Sequence, residues 1–230
     1  MPLQWATTQF LLGSALTIQG ERMGNDKAAA LFDQAVQDFQ AVLQVFTQTD
    51  QPQQWAATQL GIGLALMLEG DFVASDKSRP LYDQSAQAIQ SALQIYTKSG
   101  LPQFWAPAQL AIVMQNLASG NFTQCLQQDA LLTDDAITPY QALARDTLKL
   151  ACAWGAQDKP SALATAKMLL ARPFPSPFTQ MDLASAYYSI AQSSAFQSGR
   201  ASWLALFTAV QKDSSSGVAG ALQQLEPIFR

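Results

Sequence analysis

The chain repeats itself every fifty residues. Trp5, Trp55 and Trp105 mark the period, and their neighbours repeat with them. Aligning residues 1–50 with residues 51–100 gives 20 identical positions, where unrelated sequences would give roughly three. A period of this length indicates a fold in which copies of one structural unit stack on each other.

Each copy predicts two helices. The first runs from about Gln4 to Gln19 and is predicted to end at Gly20, because glycine tolerates the left-handed helix cap. The second places its apolar residues on one face at helical spacing, and in two copies these are Phe32, Val36, Phe39, Leu43 and Phe46, then Tyr82, Ala86, Ile89, Leu93 and Tyr96. Pro52 and Pro102 interrupt the chain before the next helix. One hairpin cannot bury both faces, so the sequence predicts an all-α fold, an α-solenoid of antiparallel helical hairpins.

The period is lost after Gly120, but helical patterns continue. Residues Thr138 to Gln141 have the form of a capping box with proline at the first helical position. Further predicted helices cover 161–171, 178–193, 201–211 and 218–228. We expect long repeats in 1–120, and degenerate hairpins with a C-terminal capping helix in 121–230, together forming one continuous solenoid.

The first 120 residues resemble a bacterial family of long tetratricopeptide repeats. The matching residues of the second copy are Pro52, Trp55, Ala56, Thr58, Gln59, Gly63, Ala65 and Leu66. The third copy departs from the pattern, because Val113 replaces the glycine and Pro107 enters the first turn. The resemblance implies a superhelix that binds proteins and has no catalytic activity.

The same resemblance implies a partner-binding groove lined by the first helix of each hairpin. The predicted groove residues are Phe10, Leu60, Leu64, Met67, Leu110, Met114 and Leu117. The family usually has asparagine at Phe10, Leu60 and Leu110, whereas this chain has large apolar side chains. An apolar groove cannot hold a carboxylate, but it can bind the apolar face of a helix or peptide. The alternative is that later helices of the chain fill this groove.

The first helix predicts a second contact surface. Terminal repeats of a solenoid need a polar outer face, yet this helix is as apolar as the interior ones. Two hypotheses follow: further repeats precede it, or it packs on another copy of the chain. In the second hypothesis Leu11 and Ile18 mediate homo-oligomerisation.

The composition argues against an enzyme. Histidine is absent, which removes the usual general base and the commonest zinc ligand. Cys125 and Cys152 are expected to be buried free thiols, and Gly61 and Gly63 belong to a helix rather than to a phosphate-binding loop. We therefore predict no catalytic residues, no cofactor and no metal.

Charge and hydropathy restrict the partners further. Only 13% of the residues are charged, the net charge is −4, and the 13 basic residues are scattered, so neither nucleic acid nor an anionic membrane is an expected partner. No apolar run is long enough to span a membrane and no secretory signal is apparent, which predicts a cytoplasmic protein.

Two alternative functions are a self-associating structural repeat and a regulatory domain of a larger assembly. A third is an ancillary factor of protein translocation. This third alternative comes from a faint likeness of residues 138–195 to the tetratricopeptide-like ancillary protein of the bacterial Sec translocon.

Overall fold

The computed structural model describes residues 2–24 and 27–171, and all regular structure in that part is helical. The α-helices are α1 (Pro2–Met23), α2 (Ala28–Val42), α3 (Pro52–Phe72), α4 (Ser75–Ile95), α5 (Pro102–Ala118), α6 (Phe122–Asp129), α7 (Pro139–Gly155) and α8 (Lys159–Ala171), with a 3-10 turn at Asp134–Ala136. The chain divides into two compact units, Met1–Ser119 and Gly120–Arg230. The predicted all-helical class is confirmed for the described residues.

Consecutive helices of the first unit pack on each other in chain order. Each of α1 to α4 contacts the helix that follows it, and α3 also contacts α1 and α5. Pro52 and Pro102 occupy the start of α3 and α5, where the missing amide hydrogen costs no helical hydrogen bond. Neighbouring helices in the first unit are thus joined both within a repeat and between repeats.

The predicted end of the first helix at Gly20 is wrong. The helix continues to Met23, and Gly24 follows it with a left-handed φ of 55°. Gly20 has a packing function instead, since a Cβ added there would lie 2.6 Å from Cε1 of Phe32 in α2. The absence of a side chain at Gly20 lets the aromatic ring rest on the helix backbone.

This contact recurs along the repeat. In each of the first two hairpins, two glycines of the first helix lie under large side chains of the second helix. The pairs are Gly13–Phe39, Gly20–Phe32, Gly63–Ile89 and Gly70–Tyr82. The separation along the chain is the same in both copies for each kind of pair, so the repeated glycines fix how the two helices of a hairpin pack.

The apolar face predicted for the second helix forms the core. Phe32, Phe39 and Ile89 are among the largest fully buried side chains of the described residues. One cluster joins α2, α3 and α4 through Ala35, Val36, Phe39, Ile62, Ala65, Leu66 and Ala88. The core of the first unit is therefore continuous across the boundary between the first two repeats.

The second unit confirms the predicted capping box. The Thr138 hydroxyl accepts a hydrogen bond from the Gln141 amide, and the Thr138 amide donates to Oε1 of Gln141 at 2.9 Å. The helix that begins there is α7. The helices predicted at 178–193, 201–211 and 218–228, including the C-terminal capping helix, lie outside the described residues.

The expectation of free thiols is wrong. Cys125 in α6 and Cys152 in α7 form a disulfide, and both residues are fully buried. The packing of α6 on α7 brings their Cα atoms to 5.9 Å, a separation that a disulfide can bridge. The pairing depends on how two helices dock, and two cysteines 27 residues apart carry no local signal of it.

Candidate functional site

A row of uncharged side chains follows the accessible side of the first helices. On α5 its members are the exposed or half-buried residues Gln103, Pro107, Leu110, Met114 and Ala118. Fifty residues earlier, on α3, its members are Gln53, Ala57, Leu60, Leu64 and Leu68. We call these two sets the first-helix stripe. Spacings of three and four residues keep each set on one side of its helix, and neither contains a charge.

Four of the predicted groove residues belong to this stripe. Leu60, Leu64 and Leu110 are half-buried, and Met114 is 37% exposed. Leu60 and Leu64 pack against a cluster that includes Ala111 and Ile112 of α5, together with Ile89 of α4. The stripe on α3 therefore lies beside α5, and its outer surface is what a partner could contact.

Phe10, the predicted groove residue of the first copy, packs partly against the core. It is half-buried, and its ring centroid is 5.5 Å from that of Phe39. It also packs beside Ala6, Val42 and Phe46. The structure thus places Phe10, predicted to line the groove, in a contact between α1 and α2.

Met67 and Leu117 are buried, with only 3% and 9% of their surfaces exposed. The sequence contains a signal that would have placed Met67 correctly. It lies four residues after Gly63 and three before Gly70, so it shares the side of α3 that packs on α4. Leu68, one residue later, lies on the stripe and was missed.

The stripe can bind apolar surface but not charge. Its side chains offer no donor for a carboxylate apart from the glutamines at its start, and an anion placed on leucine and methionine would lose its hydration without compensation. A helix with apolar residues every three or four positions matches such a surface. The unbranched Met114 side chain can adjust to an irregular partner.

The outer side of α1 carries the second group of predicted contact residues. Leu11 is 62% exposed and Ile18 is 49% exposed. Leu3, Trp5 and Leu12 are exposed on the same helix to similar extents. Leu11 and Ile18 share one side of the helix, whereas Trp5 and Leu12 lie about 100–140° around it.

The second unit contains a buried ionic cluster centred on Arg145. Nη1 of this arginine donates to the Leu132 carbonyl at 2.8 Å and to Oδ1 of Asp134 at 2.7 Å. Nε and Nη2 both donate to Oδ1 of the buried Asp146. The bonds tie α7 to the segment that precedes it, so the cluster positions backbone and leaves the guanidinium little capacity to bind a ligand.

Asp129 lies close to this cluster and is almost fully buried, and its Oδ1 has no hydrogen-bond partner. Burial raises the pKa of Asp129 to about 6, although the positive charges of Lys149 and Arg145 act in the opposite direction. A folded-state pKa above the unfolded value means that the protonated form stabilises the fold, and this contribution is lost as the pH rises through 6.

We expect Asp129→Asn to stabilise the protein at neutral pH. Asparagine resembles the protonated acid and remains uncharged as the pH rises. Between pH 4.5 and 7.5 the wild type should lose about 2 kcal/mol of unfolding free energy relative to Asp129→Asn. Urea denaturation of both proteins across this range measures the difference, and parallel pH profiles would contradict the pKa assignment.

The described residues contain no group of three or more cysteine or acidic side chains that could hold a metal ion. None of the helices from α1 to α8 is long and apolar enough to cross a membrane. Comparison with protein-family models, with curated proteins and with solved structures finds no match to this chain.

Proposed function

We propose that the chain is a non-catalytic scaffold that binds the apolar face of a partner helix along the first-helix stripe. In this proposal its hairpins are of tetratricopeptide type and stack as an α-solenoid. The observation that supports it most is the exposure of Met114, a large apolar side chain, in a charge-free row with Leu110. Leu60 and Leu64 on α3 lie fifty residues before Leu110 and Met114, so the apolar row continues there.

The binding energy would come from apolar burial. Each Å² of apolar surface removed from water contributes about 25 cal/mol, and a partner helix covering two neighbouring helices removes surface from several side chains at once. The absence of charge along the stripe means that an apolar helix meets no desolvated ion on docking. The same absence disfavours peptides that present a terminal carboxylate.

Met114→Glu is the variant that tests this proposal. The side chain is exposed, so the change should leave the fold intact while placing a charge where the partner docks. Gln94→Glu is the matched control, because it adds the same charge at an exposed position of α4, outside the stripe. We expect a partner captured by the tagged full chain to be lost at least about 10-fold in Met114→Glu and to be retained by Gln94→Glu.

Quantitative mass spectrometry of captured proteins from cells that express the chain makes the comparison. Equal capture of every protein by the wild type and Met114→Glu would contradict the proposal. Thermal unfolding of both variants should match that of the wild type, which separates a lost contact from a lost fold.

We also propose that the chain functions in an oxidising compartment. Disulfides persist in such compartments and are rare in the cytosol, and the buried Cys125–Cys152 bond lies in the core of the second unit. This proposal replaces the cytoplasmic location predicted from the sequence. Mass spectrometry of protein alkylated at harvest should find both cysteines protected.

A further inference from the structure

The first-helix stripe has two different ends, because α3 and α5 run in the same direction. Helix α4 packs on both of them. In its first half, the Tyr82 ring covers Gly70 of α3, and the Tyr82 carbonyl accepts a hydrogen bond from Gln115 of α5 at 2.8 Å. Just after its end, the Tyr96 hydroxyl donates to a carbonyl in the first turn of α3, and the ring stacks on Phe104 of α5. The starts of α3 and α5 therefore lie at one end of the stripe, and their last turns lie at the other.

Asp71 lies at the second of these ends, on the stripe side of α3. It comes eighteen residues after Gln53, which is about five helical turns, and three residues after Leu68. The residue is exposed and lies in the last turn of α3. The opposite end carries Gln53 and Gln103, which are uncharged. The stripe thus runs from neutral amides to a carboxylate.

The carboxylate of Asp71 is oriented but not neutralised. Oδ1 accepts a hydrogen bond from the Tyr82 hydroxyl at 2.7 Å. Among the described residues no ion pair includes Asp71, and Arg79 at the start of α4 pairs with Asp83 instead. Although the residue is exposed as a whole, desolvation of its carboxyl group raises the pKa of Asp71 to about 6, and the hydrogen bond from Tyr82 acts in the opposite direction. At neutral pH the group is therefore mostly ionised, and its charge has no cationic partner.

The helix backbones add to the negative potential at this end. The last carbonyl groups of a helix carry a partial negative charge, and both α3 and α5 end here. Neither helix has a basic residue in its last turn. A cation brought to this end of the stripe would interact favourably with Asp71 and with both helix ends.

We propose that the helix bound along the first-helix stripe carries a lysine or arginine at one end of its apolar row, and that this cation pairs with Asp71. The inference rests on the proposed function and adds a feature of the partner. An apolar row alone would let a helix dock in either direction. An ion pair at one end selects the direction and the register, because only one of them brings the cation to Asp71.

Two synthetic helical peptides test this proposal with the full chain. A helix that covers the stripe as far as Asp71 needs about 18 residues, so both peptides have this length, with leucine every three or four positions and alanine or glutamine elsewhere. They differ only at one end of the leucine row, where the first has lysine and the second has glutamine. By fluorescence anisotropy at low salt, the wild type should bind the lysine peptide about 5-fold more tightly, and added salt should reduce this preference.

Variants of the chain assign the preference to Asp71. Asp71→Asn should bind the two peptides with equal affinity, because asparagine can still accept the hydrogen bond from Tyr82 but has no charge. Asp76→Asn is the matched control, since it removes the same charge from an exposed position of α4 outside the stripe, and it should keep the preference. Asp71→Lys should reverse it, and should bind a peptide with glutamate at the variable position more tightly than the lysine peptide.

The possible results separate this inference from the proposed function. Equal binding of both peptides by the wild type, or a preference that persists in Asp71→Asn, would overturn the pairing with Asp71 and leave binding along the stripe intact. Binding of neither peptide would contradict the proposed function as well. Thermal unfolding of Asp71→Asn and Asp76→Asn should match that of the wild type, so that a lost preference reflects the charge and not the fold.

Discussion

Phe39→Ala is expected to lower the unfolding free energy of the protein by about 3–5 kcal/mol, the usual cost of removing a buried phenylalanine. The side chain is among the largest that are fully buried. Its ring contacts the backbone side of Gly13 in α1 and of Gly61 in α3, and it packs on Phe10. One ring therefore joins three helices of two repeats.

Denaturant unfolding of the full chain measures this loss. Phe104→Ala is the matched control, because Phe104 is 42% exposed and stacks only on Tyr96 among the described rings. The control should cost no more than about 1 kcal/mol. A similar loss in both variants would contradict the central position of Phe39 in the core.

The effect of a methyl group at Gly61 should change sign with residue 39. In the wild type, Gly61→Ala pushes a Cβ against the phenylalanine ring and should destabilise the protein. In the Phe39→Ala background the space is free, and alanine should stabilise the helix by up to about 1 kcal/mol relative to glycine. A double-mutant cycle reports this coupling directly.

Removal of the disulfide is expected to have an effect of comparable size on the second unit. The Cys125–Cys152 bond closes a loop with a sequence separation of 27 residues. Because a loop of this length lowers the entropy of the unfolded chain, the bond should stabilise the folded state by about 3–4 kcal/mol. Cys125→Ala/Cys152→Ala should therefore unfold at a markedly lower urea concentration than the oxidised wild type.

Reduction of the wild type with dithiothreitol supplies the internal control. The reductant should lower the stability of the wild type toward that of the alanine variant and should leave the alanine variant unchanged. If the oxidised wild type and the alanine variant unfolded at the same urea concentration, the disulfide would contribute nothing to stability, which contradicts this prediction.

The all-helical fold class and the core residues could be predicted from the sequence because both depend on local periodicity. The spacing of Phe32, Val36 and Phe39 places them on one side of a helix wherever that helix docks, and the Thr138 capping box involves residues three apart. The position of Gly20 was misjudged because glycine serves both helix ends and close packing. The contact between Gly20 and Phe32 shows that this glycine serves close packing, and that contact exists only in the folded chain.

The candidate site could be predicted only in part because exposure depends on tertiary contacts. Leu60 and Met67 both continue a helical apolar pattern, yet Leu60 is half-buried on the stripe and Met67 is buried. The disulfide was missed for the same reason, since Cys125 and Cys152 approach each other only when α6 packs on α7.

Site-specific photo-cross-linking tests the proposed binding surface most directly. A photo-reactive residue at position 114 of the full chain, in cells that express it, should give a discrete protein adduct that the same residue at position 94, an exposed position of α4 outside the stripe, does not. Peptide mapping should place the cross-link in a partner segment with apolar residues every three or four positions and few charges. No adduct at position 114, or the same adducts at both positions, would contradict a partner helix docked on the first-helix stripe.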